Sequence, residues 1–395
     1  MPGSLILAIE SSCDETSAAV LRNGNQVLSN VVASQLIHSS YGGVVPELAA
    51  REHLRAIVPV VREALQRAGV TCSDLAAVAV TEGPGLAGAL LVGISFAKSL
   101  ALGAALPLIA VNHLEGHIHA VLMQNSFPDG TTPLLALVVS GGHTHLYLAT
   151  RTHYPDGSVW SYRNVGKTLD DAAGEAYDKV AKVLGLPYPG GPWMDALAAY
   201  GEADRELFPL ARIKPKATGR TAPKLARESA AALDQTRFDM SFSGLKTAVR
   251  HYVERHQMQP AIQQREHALR SMDLHRAKPE AANIARALPH FDAETLNLIA
   301  SFQSSAVGNL ARAAFDAAKH HGACGVLVSG GVAANRHLRS VFLRLAQQAN
   351  LPIAFPEFAL STDNAAMIAA AAWPKLLAGE FAPDTLEPAP QLRLG

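Results

Sequence analysis

The sequence predicts an α/β protein of two related lobes with a ligand cleft between them. Three observations predict it. A strand, tight polar turn and return strand at Leu5–Arg22 recurs at Pro133–Thr150, which is the signature of an internal duplication. After each hairpin, apolar runs alternate with helix-length segments, and glycine turns fall at the strand ends, as in open α/β sheets. Of the 395 residues, 49% are hydrophobic and 17% charged, which suits a well-buried globular chain rather than a disordered one.

In the first half, Leu5–Glu10 reads as a strand, Ser11–Ser17 as its turn and Ala18–Arg22 as the return strand. Gly24 and Asn25 form a second turn before the strand Val27–Ala33. Hydroxyls and backbone N–H groups at such a tip suit an anion, yet Asp14 and Glu15 sit there. Two carboxylates beside a phosphate need a metal or a proton-transfer role to explain them. Pro46 suits the first turn of a helix running to about Gly69, with Arg51, Glu52, His53 and Arg55 read as its solvated face. The strand Leu75–Thr81 leads into Glu82–Gly88, a glycine-rich loop that lets backbone approach a ligand or another loop. The helix Ala89–Leu102 and the strand Leu106–Val111 follow.

His113 and His117 then lie four apart at the start of a helix, on one face. Sixteen histidines in this chain give about 0.6 such pairs by chance, so the spacing alone decides nothing. The position does, because the carboxyl end of a strand is where ligands bind in such sheets. Glu115 is two residues past the first histidine, about 200° round the helix, and points away from the pair. In the zinc-protease pattern the glutamate follows the first histidine directly. The pair therefore reads as a metal anchor without a protease base.

The second half opens with the strand Pro133–Val139, the turn Ser140–Thr144, the return strand His145–Thr150 and a short strand near Val159–Tyr162. Leu169–Gly185 reads as a helix bearing Asp170, Asp171, Glu175 and Asp178, and Asp195 lies just inside the helix after Pro187–Pro192. Residues 205–290 carry 16 Lys and Arg against 8 Asp and Glu, a surplus of eight in a chain of zero net charge. Lys214, Lys216, Arg220 and Lys224 are candidate phosphate contacts there. The segment from His256 to Lys278 has no apolar period and reads as an inserted surface excursion. The helix Ala293–His321, the strand Cys324–Val328, the Gly330–Gly331 turn, the strand Pro352–Phe355 and the helix Ala365–Leu377 complete the chain. Asp363, just before that last helix, is either a helix-terminal acid or the oxygen ligand that a two-histidine site lacks.

Cys13, Cys72 and Cys324 are far apart and in no metal spacing, which favours a reducing compartment. The N-terminus shows no signal or transit character, and no apolar run is long enough to span a membrane, so a cytoplasmic location is expected.

The ordered segments Glu10–Thr16, Tyr41–Glu47, Gly83–Leu86, His113–His117, Ser140–Thr144, Asp170–Ala176, Phe242–Lys246, Ser329–Asn335 and Thr362–Asn364 closely resemble the TsaD family, formerly called Gcp or O-sialoglycoprotein endopeptidase. The resemblance covers nearly the whole chain. It implies a duplicated actin-like ATPase fold, shared with sugar kinases and Hsp70, with lobes at about 1–125 and 126–395 and the C-terminal helix packing back toward the first. It implies transfer of a threonylcarbamoyl group from threonylcarbamoyl-AMP to N6 of adenosine 37 in tRNAs reading ANN codons. It implies one ferrous ion per subunit, with zinc as the alternative, on His113, His117 and Asp363. Substrate contacts are implied at Val138, Val139, Ser140, Gly141, Gly142, Asp178, Gly191, Asp195 and Asn335. The partners implied are a paralogous TsaB subunit and the TsaE ATPase. The departure is at 256–278, longer than in typical bacterial members. The reaction also needs a carboxylate to take the N6 proton, and Asp14 and Glu15 are the candidates. The rival readings are a metalloprotease, the old family label, and a non-catalytic nucleotide-binding partner subunit.

Overall fold

The computed structural model describes residues 3–41, 43–125, 127, 131–154, 157–204, 206–208 and 237–395. Two five-stranded mixed sheets organise it. The first contains β1 (Leu5–Glu10), β2 (Glu15–Arg22), β3 (Gln26–Ser34), β4 (Ala77–Gly83) and β5 (Leu108–Asn112) in the order β3-β2-β1-β4-β5. The second contains β6 (Leu134–Val139), β7 (Thr144–Tyr154), β8 (Gly157–Lys167), β9 (Val326–Ser329) and β10 (Ile353–Ala354) in the order β10-β9-β6-β7-β8. Number for number the two orders and directions are the same: an antiparallel meander of three strands, then two parallel strands beside the first. This is the duplicated actin-like arrangement. β1 and β6 sit at the centres and are buried along their whole length, which explains why both read as continuous apolar runs.

Helices cover the sheets. In the first half these are α1 (Pro46–Ala68), α2 (Ala87–Gly103) and α3 (His113–Leu122). α1 starts with Pro46 and stops at Gly69, whose φ of 66° is left-handed. α3 is capped by Asn112, whose side chain accepts from Leu114 N at 2.9 Å. The second half holds α4 (Ala173–Val183), α5 (Gly190–Ala198), α6 (Ser243–Arg255), α7 (Gln259–Ser271), α8 (Ala281–Ala287), α9 (Ala293–His320), α10 (Arg336–Ala349) and α11 (Ala365–Ala378). α11 leaves the second sheet and packs its alanine-rich face on Ile6, Ala8, Ala19 and Ala79 of the first. The segment after α11 then runs back along the first sheet, where Ala382 N bonds Leu108 O and Ala389 N bonds Glu82 O, and Leu394 reaches the second sheet beside Tyr147 and Ala149.

Three expectations need correction. α4 begins at Ala173, not Leu169, because Leu169 N bonds Met240 O and Thr168 N bonds Thr144 O, which holds that stretch out of the helix. Asp170 and Asp171 therefore precede α4. His53 is not on a solvated face; it is fully buried. The 256–278 segment is not a solvated excursion. α7 buries Ile262, Arg265 and Leu269, and Arg265 donates to Leu184 O, His290 O and Thr295 Oγ1 under the ring of Phe291. Of the basic stretch, Lys214, Lys216, Arg220 and Lys224 lie outside the described residues.

Candidate functional site

The centre of the site is built by two strand ends and one cap. β5 ends at Asn112, and the first turn of α3 presents His113 and, one turn on, His117. Their rings meet edge to face with centroids 4.7 Å apart. Asn364 caps α11 by accepting from Met367 N, so Asp363 stands just outside the helix with its carboxylate toward the histidines. Asp363 Oδ1 lies 3.2 Å from His117 Nε2 and 3.7 Å from His113 Nε2. The three residues offer one donor atom each within 4.8 Å of one another.

The surroundings hold this group in place. Glu10, wholly buried at the end of β1, accepts from His113 Nδ1 at 3.1 Å and from Thr81 Oγ1 at 2.6 Å. A carboxylate on the outer ring nitrogen turns the inner one toward Asp363, as in the outer shell of many metal-bound histidines. Burial works against charge on His113, but Asp363 and Glu10 outweigh it and raise its pKa to about 9. Burial also disfavours the Asp363 and Glu10 carboxylates, and the histidines outweigh it, holding both below their usual range. The buried Glu10 and the partly buried Asp363 thus favour a cation beside them. His117 is fully buried, and neither of its ring nitrogens has a hydrogen-bond partner despite the nearby Asp363 oxygen. An orphaned imidazole beside a carboxylate fits a divalent metal: two nitrogens and one oxygen suit ferrous iron or zinc.

Glu115 faces away. It forms an ion pair with Lys375 of α11 at 3.1 Å, and burial raises its pKa against that pull. It cannot serve a water on the histidine face, which removes the base a protease reading needs.

The second lobe supplies a wall beside this group. The turn after β6 is pinned by Ser140 N to His143 O at 2.7 Å, and Gly174 N at the start of α4 donates to Ser140 O at 3.1 Å. A Cβ on Gly141 or Gly142 would meet nothing within 4 Å, so no protein neighbour requires glycine there. The His143 ring at this turn lies 6.1 Å from that of His113. Asp178 of α4 accepts from Gly190 N at 2.7 Å and Gly191 N at 3.3 Å at the start of α5, and burial pushes its pKa up to about 6. Asp195 of α5 accepts from Arg336 N at 3.2 Å. Asn335 caps α10 and donates to Gln303 Oε1 at 2.8 Å. Gly330, with φ 92°, lies against Val139 O, where a Cβ would come within 2.4 Å.

Asp14 and Glu15 lie at the tip of the first hairpin. Glu15 begins β2, and burial, reinforced by Asp14, pushes its carboxyl well above its ordinary range. The Asp14 charge also adds to the rise of the Asp178 carboxyl. The glycine-rich loop after β4 approaches this tip and not a ligand: Leu86 N bonds Ser12 O at 2.8 Å, and a Cβ on Gly85 would lie 2.5 Å from that oxygen.

Sequence reasoning missed two residues here. His53 pairs through Nδ1 with Thr16 Oγ1 at 2.7 Å and through Nε2 with Cys13 O at 3.0 Å, clamping both sides of Asp14 and Glu15. The carbonyl can only accept, so Nε2 carries the proton. The signal was available, because Ala49, His53, Ile57, Val60 and Ala64 make one buried stripe at helical spacing. Asp170 accepts from Phe242 N, Ser243 N and two serine hydroxyls and so anchors the start of α6, a contact some 70 residues away that no local pattern shows.

The doubled sheets define an α/β protein of the duplicated actin-like fold. The profile of the TsaD family, described as tRNA N6-adenosine threonylcarbamoyltransferase, matches residues 26–370. A protein of that name from Koribacter versatilis is 54% identical over 100% of both chains. Another from Geotalea uraniireducens is 45% identical over 92% of this chain and 89% of its own. Full-length HypF in its phosphate- and nucleotide-bound form aligns over 96% of this chain and 47% of its own, with a TM-score of 0.46 and 14% identity. The chain belongs to the TsaD family of transferases.

Proposed function

We propose that this chain transfers the threonylcarbamoyl group of threonylcarbamoyl-AMP to N6 of adenosine 37 in tRNAs reading ANN codons, forming t6A. The observation that carries this reading is the apposition of the His113–His117–Asp363 group, its two histidines buried, with the Ser140–Gly142 turn, the two meeting at His113 and His143. One ferrous ion, or zinc in its place, would be held by His113, His117 and Asp363 and would supply Lewis-acid stabilisation of charge on the donor's oxygens.

The remaining work falls to the chain's own groups. The second-lobe wall from Val138 to Asn335 holds the adenylate, its open glycines letting backbone N–H groups approach phosphate oxygens. N6 attacks the carbamoyl carbon, the bond from that carbon to the phosphate oxygen breaks, and AMP leaves with the electron pair. N6 is a weak nucleophile because its lone pair is delocalised, so positioning carries much of the rate. Its proton passes to the Asp14 or Glu15 carboxylate. Burial raises the Glu15 carboxyl, so its ionised form is the more strongly proton-accepting of the two.

The family resemblance supports a TsaB partner and the TsaE ATPase, and a cytoplasmic location beside the tRNA. Among the described residues no helix is long and apolar enough to cross a membrane. Mass analysis of tRNA nucleosides after depletion of the protein tests the reading. Loss of t6A is expected, and an unchanged t6A level would overturn it.

A further inference from the structure

Beside the site, one described surface joins an immobilised aromatic ring to a helix that carries cations and no acids of its own. α10 carries Arg336, His337, Arg339 and Arg344 and no Asp or Glu. Arg336 and Arg344 are exposed, and among the described residues Arg344 has no ion-pair partner. Arg339 is fixed from three sides: Nε donates to Ala333 O at 2.7 Å, and Nη2 donates to Pro356 O at 2.8 Å and Ser361 Oγ at 3.4 Å. Its guanidinium lies 5.0 Å from the centre of the Phe355 ring and 4.1 Å from that of Phe358. Phe358 is nevertheless 59% exposed.

A single exposed phenylalanine means little by itself. This one is backed by a cation that hydrogen bonds hold in place, so its outer surface is presented at a set position. It stands five residues before Asp363, and Ser361, which Arg339 reaches, belongs to the same turn. The exposed Glu357 precedes Phe358 in the chain, and Asp195 accepts from Arg336 N at the start of α10. A surplus of cations attracts phosphates, and a rigid ring stacks with any base.

We propose that Phe358 and the Arg336–Arg344 face of α10 form a tRNA-binding surface, with a base stacked on Phe358 and backbone phosphates along the helix. This rests on the reading that the chain modifies tRNA and adds where that tRNA lies.

The test is binding of an unmodified tRNA transcript to the full-length protein, followed by fluorescence anisotropy across a salt series. Phe358→Ala is expected to weaken binding about tenfold, and Phe358→Tyr to restore it, because stacking needs only a ring. Arg336→Gln with Arg344→Gln is expected to reduce the log–log salt slope by about 1.4–1.8. AMP affinity of Phe358→Ala should match the parent, which shows that the fold is intact. Parental affinity and slope in these variants would overturn the proposal. It also falls if Phe358→Ala keeps its tRNA affinity and loses only association with a protein subunit. A parent that binds tRNA through this face yet forms no t6A would refute the proposed reaction and leave the surface standing.

Discussion

Gly174→Ala tests how the substrate turn is positioned. Gly174 is buried in the first turn of α4, and an ideal Cβ there would lie 2.6 Å from Ser140 O and 2.9 Å from Gly141 Cα and N. Ordinary contact needs about 3.4 Å or more, so the turn must retreat by roughly 0.8 Å. It cannot simply swing away, because Gly174 N is bonded to Ser140 O at 3.1 Å. Alanine gains up to about 1 kcal/mol over glycine inside a helix, and overpacking costs about 1–3 kcal/mol. Stability should therefore fall by no more than about 3 kcal/mol. A displacement approaching 1 Å at reacting groups lowers rates by up to about 100-fold. Thermal unfolding, calorimetric titration with AMP and single-turnover transfer should show a folded variant with AMP affinity weakened about tenfold or more. Transfer should fall further. Gly142→Val is the companion, since its Cβ meets open space and can disturb only a ligand. Parental affinity and rate in both variants would refute the placement of donor at this turn.

His113→Ala, His117→Ala and Asp363→Ala should each lose stoichiometric metal and stay folded; elemental analysis with normal metal in all three would remove the site. Asp178 has a native pKa of about 6, above the roughly 3.9 of an unfolded aspartate, so the native state holds the proton more tightly. Its contribution is complete below about pH 4 and lost as pH rises through about 6, by at most about 3 kcal/mol. Denaturant titrations should show the parent losing that stability relative to Asp178→Asn over this window, and parallel curves would contradict it. His53→Ala orphans Cys13 O and the Thr16 hydroxyl, which costs about 1–3 kcal/mol. If the clamp positions Asp14 and Glu15, kcat should fall more than KM changes, with His53→Gln partly restoring it. A pure stability loss with parental kcat would leave His53 only structural.

Much of the fold was legible because its signals are local. The polar tip between two apolar runs marks each hairpin, and the strand orders agree with the duplication read from it. The histidine helix was legible from a four-residue spacing at a strand end, and the inactive direction of Glu115 from helix angle alone. Whether Asp363 faces the histidines was not legible. That depends on Asn364 taking the cap, and on α11 returning across 250 residues to the first sheet. His53 was obscured by charged neighbours at 51, 52 and 55, although it shares the stripe of Ile57 and Ala64. Arg265 broke the apparent apolar period of α7, because a buried guanidinium satisfied by two carbonyls and a hydroxyl looks solvated in sequence.

The central claim is transfer at a cleft whose metal group is His113, His117 and Asp363. It is tested most directly by nucleoside mass analysis of unmodified tRNA incubated with threonylcarbamoyl-AMP and the purified chain, with TsaB and TsaE added, and with ferrous ion supplied or chelated. The parent should form t6A when ferrous ion is supplied, and chelation or His117→Ala should abolish it. t6A formed undiminished by His117→Ala, or no t6A from the parent in any combination, would contradict the account.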